Sequence, residues 1–282
     1  MDNLWILYTF VYALLKGSRE GMKKAALKYS TANEILFFYT LIGWICILPF
    51  SASAFSLAPR FIFFSFIKAA VVCAAWYCAF AALKNMSVSL YGIMDLSRMV
   101  FSILLGVLVL GEDFTLPKAI GMLLVILGLL LVNLKKDAKT KGMTLPLLIA
   151  VLLNCFLNAV SGTMDKVLMQ HMESAQLQFW FMLFMTIIYG IVLLLHKEKI
   201  SLQAVRTNYW IPLLSITLVL GDRFLFEANA NPNSQVTLMT IIKQSSVLIN
   251  VMVGRLFFHE KNILYKTFCA LIVIAGILVA LL

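Results

Sequence analysis

Long apolar runs separated by short polar breaks fill this chain from one end to the other. A helix that crosses a bilayer needs about 20 mostly apolar residues, and the breaks divide the chain into runs of that order. The pattern predicts ten helices, at about 3–28, 32–50, 60–83, 87–111, 116–134, 144–170, 174–196, 209–230, 234–258 and 262–282. Pro49 and Pro59 bracket the second connection, and Asn231-Pro232-Asn233 parts the eighth helix from the ninth. Ser87 and Ser234 stand where N-caps would open the fourth and ninth. The run beginning at Leu4 lacks a basic leader. Lys16 to Lys24 follow where the small residues of a cleavage site would stand, so the run reads as a retained first helix.

The polar positions carry a second message. Residues 79–134 and 227–282 align without a gap at a constant offset of 148, which places Asn85 on Asn233, Ser97 on Ser245, Gly106 on Gly254, Glu112 on Glu260 and Lys118 on Lys266. Seventeen of these 56 positions are identical, more than apolar composition alone would produce. The basic segment from Lys135 to Lys141 divides the chain, giving units at 1–138 and 143–282 of five helices each. An odd number of spans makes the second unit enter the membrane from the opposite side. Inverted repeats of this kind build a site at their interface near the membrane midplane, which is how carriers are made.

Composition narrows the class further. The chain is 62% hydrophobic and only 13% charged, and no long polar stretch could form a separate catalytic domain. The net charge of +10 sits in short loops beside helices, so it reads as positive-inside bias and not as a nucleic-acid groove. Connections after odd-numbered helices hold most of it, from Lys23, Lys24 and Lys28 to Lys197, Lys199 and Lys261, whereas those after even-numbered helices hold Arg60 and Lys118. Taken alone, that bias puts both termini outside. Cys46, Cys73, Cys78, Cys155 and Cys269 lie in apolar runs without metal-ligand spacing and read as packing residues.

The run Ala82-Leu83-Lys84-Asn85-Met86-Ser87-Val88-Ser89, then Leu110-Gly111-Glu112, then Gly121 with Val125-Ile126-Leu127-Gly128, resembles the EamA-like branch of the drug/metabolite transporter superfamily. The second copy reads Phe258-His259-Glu260 and Val273-Ile274-Ala275-Gly276. The resemblance implies an all-α membrane protein of ten transmembrane helices, with helices four and nine lining a central cavity. It also implies transport of small metabolites. One departure stands out: Asp95-Leu96-Ser97-Arg98 occupies the region of the fourth helix where the family often carries a proline. Many members are also drawn with cytoplasmic termini, against the charge bias.

An ionisable group inside a spanning helix costs several kcal/mol or more unless it is paired or hydrated, so each one is a site candidate. Lys16, Arg19 and Glu20 fall in the first helix, Lys68 in the third, and Asp95 with Arg98 on one face of the fourth. Asp165 and Lys166 fall in the sixth, Asp222, Arg223 and Glu227 in the eighth, and Lys243 in the ninth. The offset carries Asp95 onto Lys243, which predicts opposite charges at equivalent midplane positions; a pair that only pins two helices would give the same pattern. Gly17-Ser18-Arg19-Glu20 and Gly162-Thr163-Met164-Asp165 echo each other as glycine, hydroxyl and acid, at an offset of 145. Trp76, Tyr77 and Tyr91 could supply an aromatic wall or simply pack. The candidates for substrate binding or coupling are therefore Lys16, Glu20, Trp76, Tyr77, Asp95, Arg98, Asp165, Asp222, Arg223 and Lys243. Cations outnumber anions slightly, which suits an amino acid or organic anion.

No phosphate-binding loop, zinc-hydrolase motif or nucleophile elbow is present, and His171, His196 and His259 are scattered among helix ends. The expectation is a secondary carrier without cofactor or metal, not an enzyme. It would work by alternating access coupled to protons, as a monomer or homodimer in the plasma or bacterial inner membrane. Its partners would be a small-molecule substrate and the lipid bilayer, with no nucleic acid. A flippase subunit or a non-transporting scaffold is the alternative.

Overall fold

The computed structural model describes all residues except 1–3, 111–113, 135–143, 169–170, 197–205, 231–241, 244, 261 and 281–282. Among the described residues there is no strand. In chain order the helices are α1 (Leu4–Ala26), α2 (Ala32–Ile47), α3 (Pro59–Asn85), α4 (Val88–Asp95), α5 (Arg98–Leu110), α6 (Leu116–Leu134), α7 (Leu145–Leu168), α8 (Ser174–Leu195), α9 (Trp210–Ala230), α10 (Ser246–Phe258) and α11 (Ile263–Ala280). With α4 and α5 as two halves of one span, these make the ten membrane-crossing units. Among the described residues five stretches, in α2 with the turn after it, α3, α4–α5, α7 and α8, are long and apolar enough to cross a bilayer on those grounds alone. Helices α1 and α9 are diluted by the charges they carry.

Local chemistry sets several helix ends. Thr31 opens α2 with a capping box, its hydroxyl accepting from the Glu34 amide while the Glu34 carboxylate accepts from the Thr31 amide. Pro59 occupies the first turn of α3, where its missing N–H costs nothing. Ser87 caps α4 by accepting from the Leu90 amide at 3.3 Å. Its counterpart Ser234 lies outside the described residues.

The fourth helix is not the continuous element that its apolar pattern predicts. It breaks at Leu96–Ser97, where the amides of Leu96, Ser97, Met99 and Val100 bond three residues back instead of four. This tightening to 3₁₀ geometry turns the chain without proline or glycine. Carbonyls loosened from the ladder face the Cys155 thiol, 3.8 Å from the Met94 oxygen and 3.6 Å from that of Asp95. The second repeat does the same at the same register: the Ser245 amide bonds Ile242, the Leu248 amide bonds Ser245, and α10 starts 148 residues after α5.

The larger helix contacts run between repeats, not within them. Helix α1 packs on α9 and α10 as α7 packs on α3 and α5, and α2 meets α8 across the pseudo-two-fold. Helices α6 and α11 form a separate crossed pair. There a Cβ built on Gly276 would lie 2.8 Å from the Gly121 carbonyl oxygen, so only glycine lets the backbones touch. One core cluster, including Leu36, Tyr39, Phe80, Met182 and Tyr189, joins α2, α3, α8 and α9. The other, including Leu83, Ile93, Val125, Val251 and Val273, joins α4, α6, α10 and α11. Asp95 and Arg98 stand at the junction of α4 and α5, facing α1 and α7.

Candidate functional site: a charged centre between the repeats

Helix α1 brings Lys16, Glu20 and Lys23 onto one face, at spacings of four and three. The break in the fourth helix delivers Asp95 and Arg98 to that face. Arg98 donates from Nη2 to both carboxylate oxygens of Asp95, at 2.9 and 3.0 Å. Asn154 on α7 donates to Asp95 at 3.2 Å and to the Tyr91 hydroxyl at 3.2 Å, and is itself the acceptor from Asn158 at 2.8 Å. Tyr91 lies within electrostatic reach of Glu20, Asp95 and Arg98, which ties α1 and the broken helix to one centre. The Asp95 and Arg98 side chains are 17% and 29% exposed, so neither is fully sealed by the helices around it.

Lys16 is the cation this centre leaves over. Lys23 takes Glu20 at 2.8 Å and Arg98 takes Asp95. Among the described residues no carboxylate oxygen comes within ion-pair distance of Lys16, whose electrostatic neighbours are Arg98, Asp95, Lys243 and Arg19. At this centre the Arg98 Nε and one Glu20 oxygen are buried without a hydrogen-bond partner among the described residues. Buried polar atoms are normally satisfied, so donors and acceptors held open at one centre can receive a polar solute.

A second group lies one helix away. Lys68 on α3 meets Asp165 on α7 at 3.0 Å and Ser161 at 2.6 Å, with its ammonium 4.8 Å from the centroid of the Phe181 ring. Asp222 on α9 lies within reach of Arg19, Lys68 and Asp165 and so connects the groups electrostatically. Arg19, only 7% exposed, stands over the Tyr12 ring at 5.9 Å.

Most of the expected residues are thus gathered, with some differences. Lys16, Glu20, Asp95 and Arg98 share one centre, while Asp165 and Asp222 adjoin it. The cations around Asp95 are Arg98, Lys16 and Lys23, and Lys243 enters the neighbourhood through Lys16. Trp76 lies against Tyr39 at 5.1 Å with the Lys23 ammonium 5.9 Å away. The Tyr77 hydroxyl instead donates to Asn33 at 2.7 Å. Arg223 stands apart, paired along α9 with Glu227 at 3.1 Å, with side chains 60% and 48% exposed. Sequence reasoning passed over Asn154 and Asn158. Their signal was present as two amides four residues apart in the otherwise apolar stretch from Leu145 to Val160.

At the lysine-rich end of the bundle the centre is sealed. Glu260 from the second repeat accepts from the amides of Val88 and Ser89, at 2.8 and 3.4 Å, and from the Ser89 hydroxyl. It thereby closes the N-terminus of α4, while Lys266 neutralises it at 3.1 Å. Beside this latch the Lys24 ammonium donates to the Met86 carbonyl at the end of α3.

Comparison with known proteins bears on the fold and the family. Of 25 matching solved chains, one described as "Crystal structure of protein" aligns over 99% of this chain and 97% of its own, at 13% identity and a TM-score of 0.65, a likeness of fold alone. Comparison with curated proteins gives no match. The model of the EamA-like transporter family matches twice, at residues 3–134 and 145–282. Two such matches cover nearly the whole chain, repeat by repeat, and the protein belongs to the EamA-like transporter family, membrane transporters of the drug/metabolite type.

Proposed function

We propose that this transporter is a secondary carrier of a small organic anion or amino acid, working by alternating access with proton coupling. The observation that supports this reading best is Lys16, a half-buried cation near Arg98 with no carboxylate oxygen at ion-pair distance among the described residues. An anionic group of the substrate would complete that site, since a buried charge needs a partner. Glu20 lies one turn along the same face with an unpartnered oxygen, and could accept a substrate ammonium group or the coupling proton. On the lysine bias the sealed end would face the cytoplasm of a plasma or bacterial inner membrane, and this state would open outward.

Reconstituted proteoliposomes provide the test. Uptake of a panel of radiolabelled amino acids and organic anions, with and without a pH gradient, should reveal at least one accelerated substrate. Lys16→Gln should reduce its flux about tenfold or more, the scale expected when a charged partner is lost. Movement of a labelled lipid with no small solute transported would favour a flippase instead. Flux that ignores Lys16→Gln would remove this residue from the site.

A further inference from the structure

The two repeats carry the same joint, and the structure holds its copies in opposite states. At an offset of 145, Gly17 on α1 corresponds to Gly162 on α7; at 148, Arg98, Phe101 and Leu105 on α5 correspond to Ser246, Ile249 and Val253 on α10. The contact of α1 with α10 is therefore the counterpart of α7 with α5. In the first, a Cβ added to Gly17 would fall 2.6 Å from the Ile249 Cβ and 2.7 Å from the Ser246 carbonyl oxygen. The helices touch backbone to side chain, and nothing larger than glycine fits. In the second, a Cβ on Gly162 would meet nothing within 4 Å.

The outer grooves beside these joints tell the same story. Ser18, Met22, Tyr209 and Val253 line a cavity of about 210 Å³ between α1, α9 and α10. The corresponding Thr163, Val167, Phe61 and Leu105 line one of about 600 Å³ between α7, α3 and α5. At the glycine one joint is shut and its copy is open, while α7 still packs on α5 through Phe156 and Phe101.

We infer that Gly162 is the gate residue of the open end. In the opposite state α7 closes on α5, with Gly162 against Phe101 and the Arg98 peptide, while Gly17 parts from Ile249 and Ser246. Closure carries α7 over Arg98 and the charged centre, so the gate occludes the solute bound there. The copies are not identical, because Phe101 is bulkier than Ile249 and stacks edge-on against Phe156 at 5.7 Å. That ring must swing before the gate can shut. The inference rests on the carrier reading above.

The first measurement uses Gly162→Cys in a background lacking the five native cysteines, in sidedness-controlled vesicles. A membrane-impermeant maleimide should label the introduced thiol from the end opposite the lysines and not from the lysine-rich end. The second uses Gly162→Leu in the otherwise native chain. This variant should fold with unchanged melting temperature, because its side chain enters open space, yet exchange substrate about tenfold or more slowly, as overpacking of the closed joint predicts. A thiol inert from both ends, or Gly162→Leu exchanging like the parent, would overturn the gate. If the parent moves no organic anion or amino acid, the substrate reading fails while the labelling still decides the gate.

Discussion

The lysine-rich end and the opposite end of this bundle are built from equivalent segments, yet one is packed shut and the other stands open. At the shut end Gly17 and Gly21 press α1 onto α10, Glu260 crosses between repeats to close α4, and Lys266 neutralises it. At the open end Gly162 faces empty space, and Asp165 is 42% exposed although it pairs with Lys68. The sequence motif of glycine, hydroxyl and acid is shared by both ends, so composition does not decide which is closed. One chain therefore holds the two copies of this joint in different arrangements, close-packed at Gly17 and open at Gly162.

Five substitutions, with one compensating change, test the contrast between the two ends, and stability is the first measure. Glu260→Ala should have the largest effect, a loss of about 3–5 kcal/mol, because it strands a buried lysine and reopens the amides of α4. Thermal unfolding in detergent would measure it, and replacing Lys266 by Met in the same chain should recover much of the loss. A change below about 1 kcal/mol would mean that the latch contributes little to this state. Gly17→Leu comes next, at about 1–3 kcal/mol or more from overpacking, whereas Gly162→Leu should stay within about 0.5 kcal/mol of the parent. Equal losses at the two glycines would erase the distinction between the ends.

Asp165→Asn should cost less than Glu260→Ala, because Ser161 remains for Lys68 and the carboxylate is partly hydrated, and about 1–2 kcal/mol is expected. The smallest effect among the ion pairs belongs to Arg223→Gln, whose exposed pair with Glu227 is worth about 0–1 kcal/mol. Its flux should match the parent's, and a transport defect there would bring the outer face of α9 into the pathway.

Much of this was legible in the sequence. The offset of 148 fixed the two repeats, and it holds to the residue at the starts of α5 and α10. The break itself was not legible, because Leu96 and Ser97 lack the usual breakers; its faint signal was the serine repeated at 97 and 245. The partner of Glu260 could not be read either, since the amides it accepts from lie more than 170 residues away along the chain. Lys16 and Arg223 look alike as charges in apolar runs. Only the packing of α1 and α9 separates the half-buried cation from the one paired on an exposed face. The glycine echo spoke of close approach at both joints, and the structure realises it at one.

Because the larger interfaces all join one repeat to the other, the first half has little to fold against while it is being made. Lys68 enters the bilayer long before Asp165, its partner 97 residues downstream, has been translated. At about 5–20 residues per second the wait is on the order of 5–20 s. During that interval the lysine has neither its carboxylate nor Ser161. Insertion therefore has to tolerate an unneutralised charge in the third span, and the step most exposed to failure in producing this protein comes before the second repeat exists.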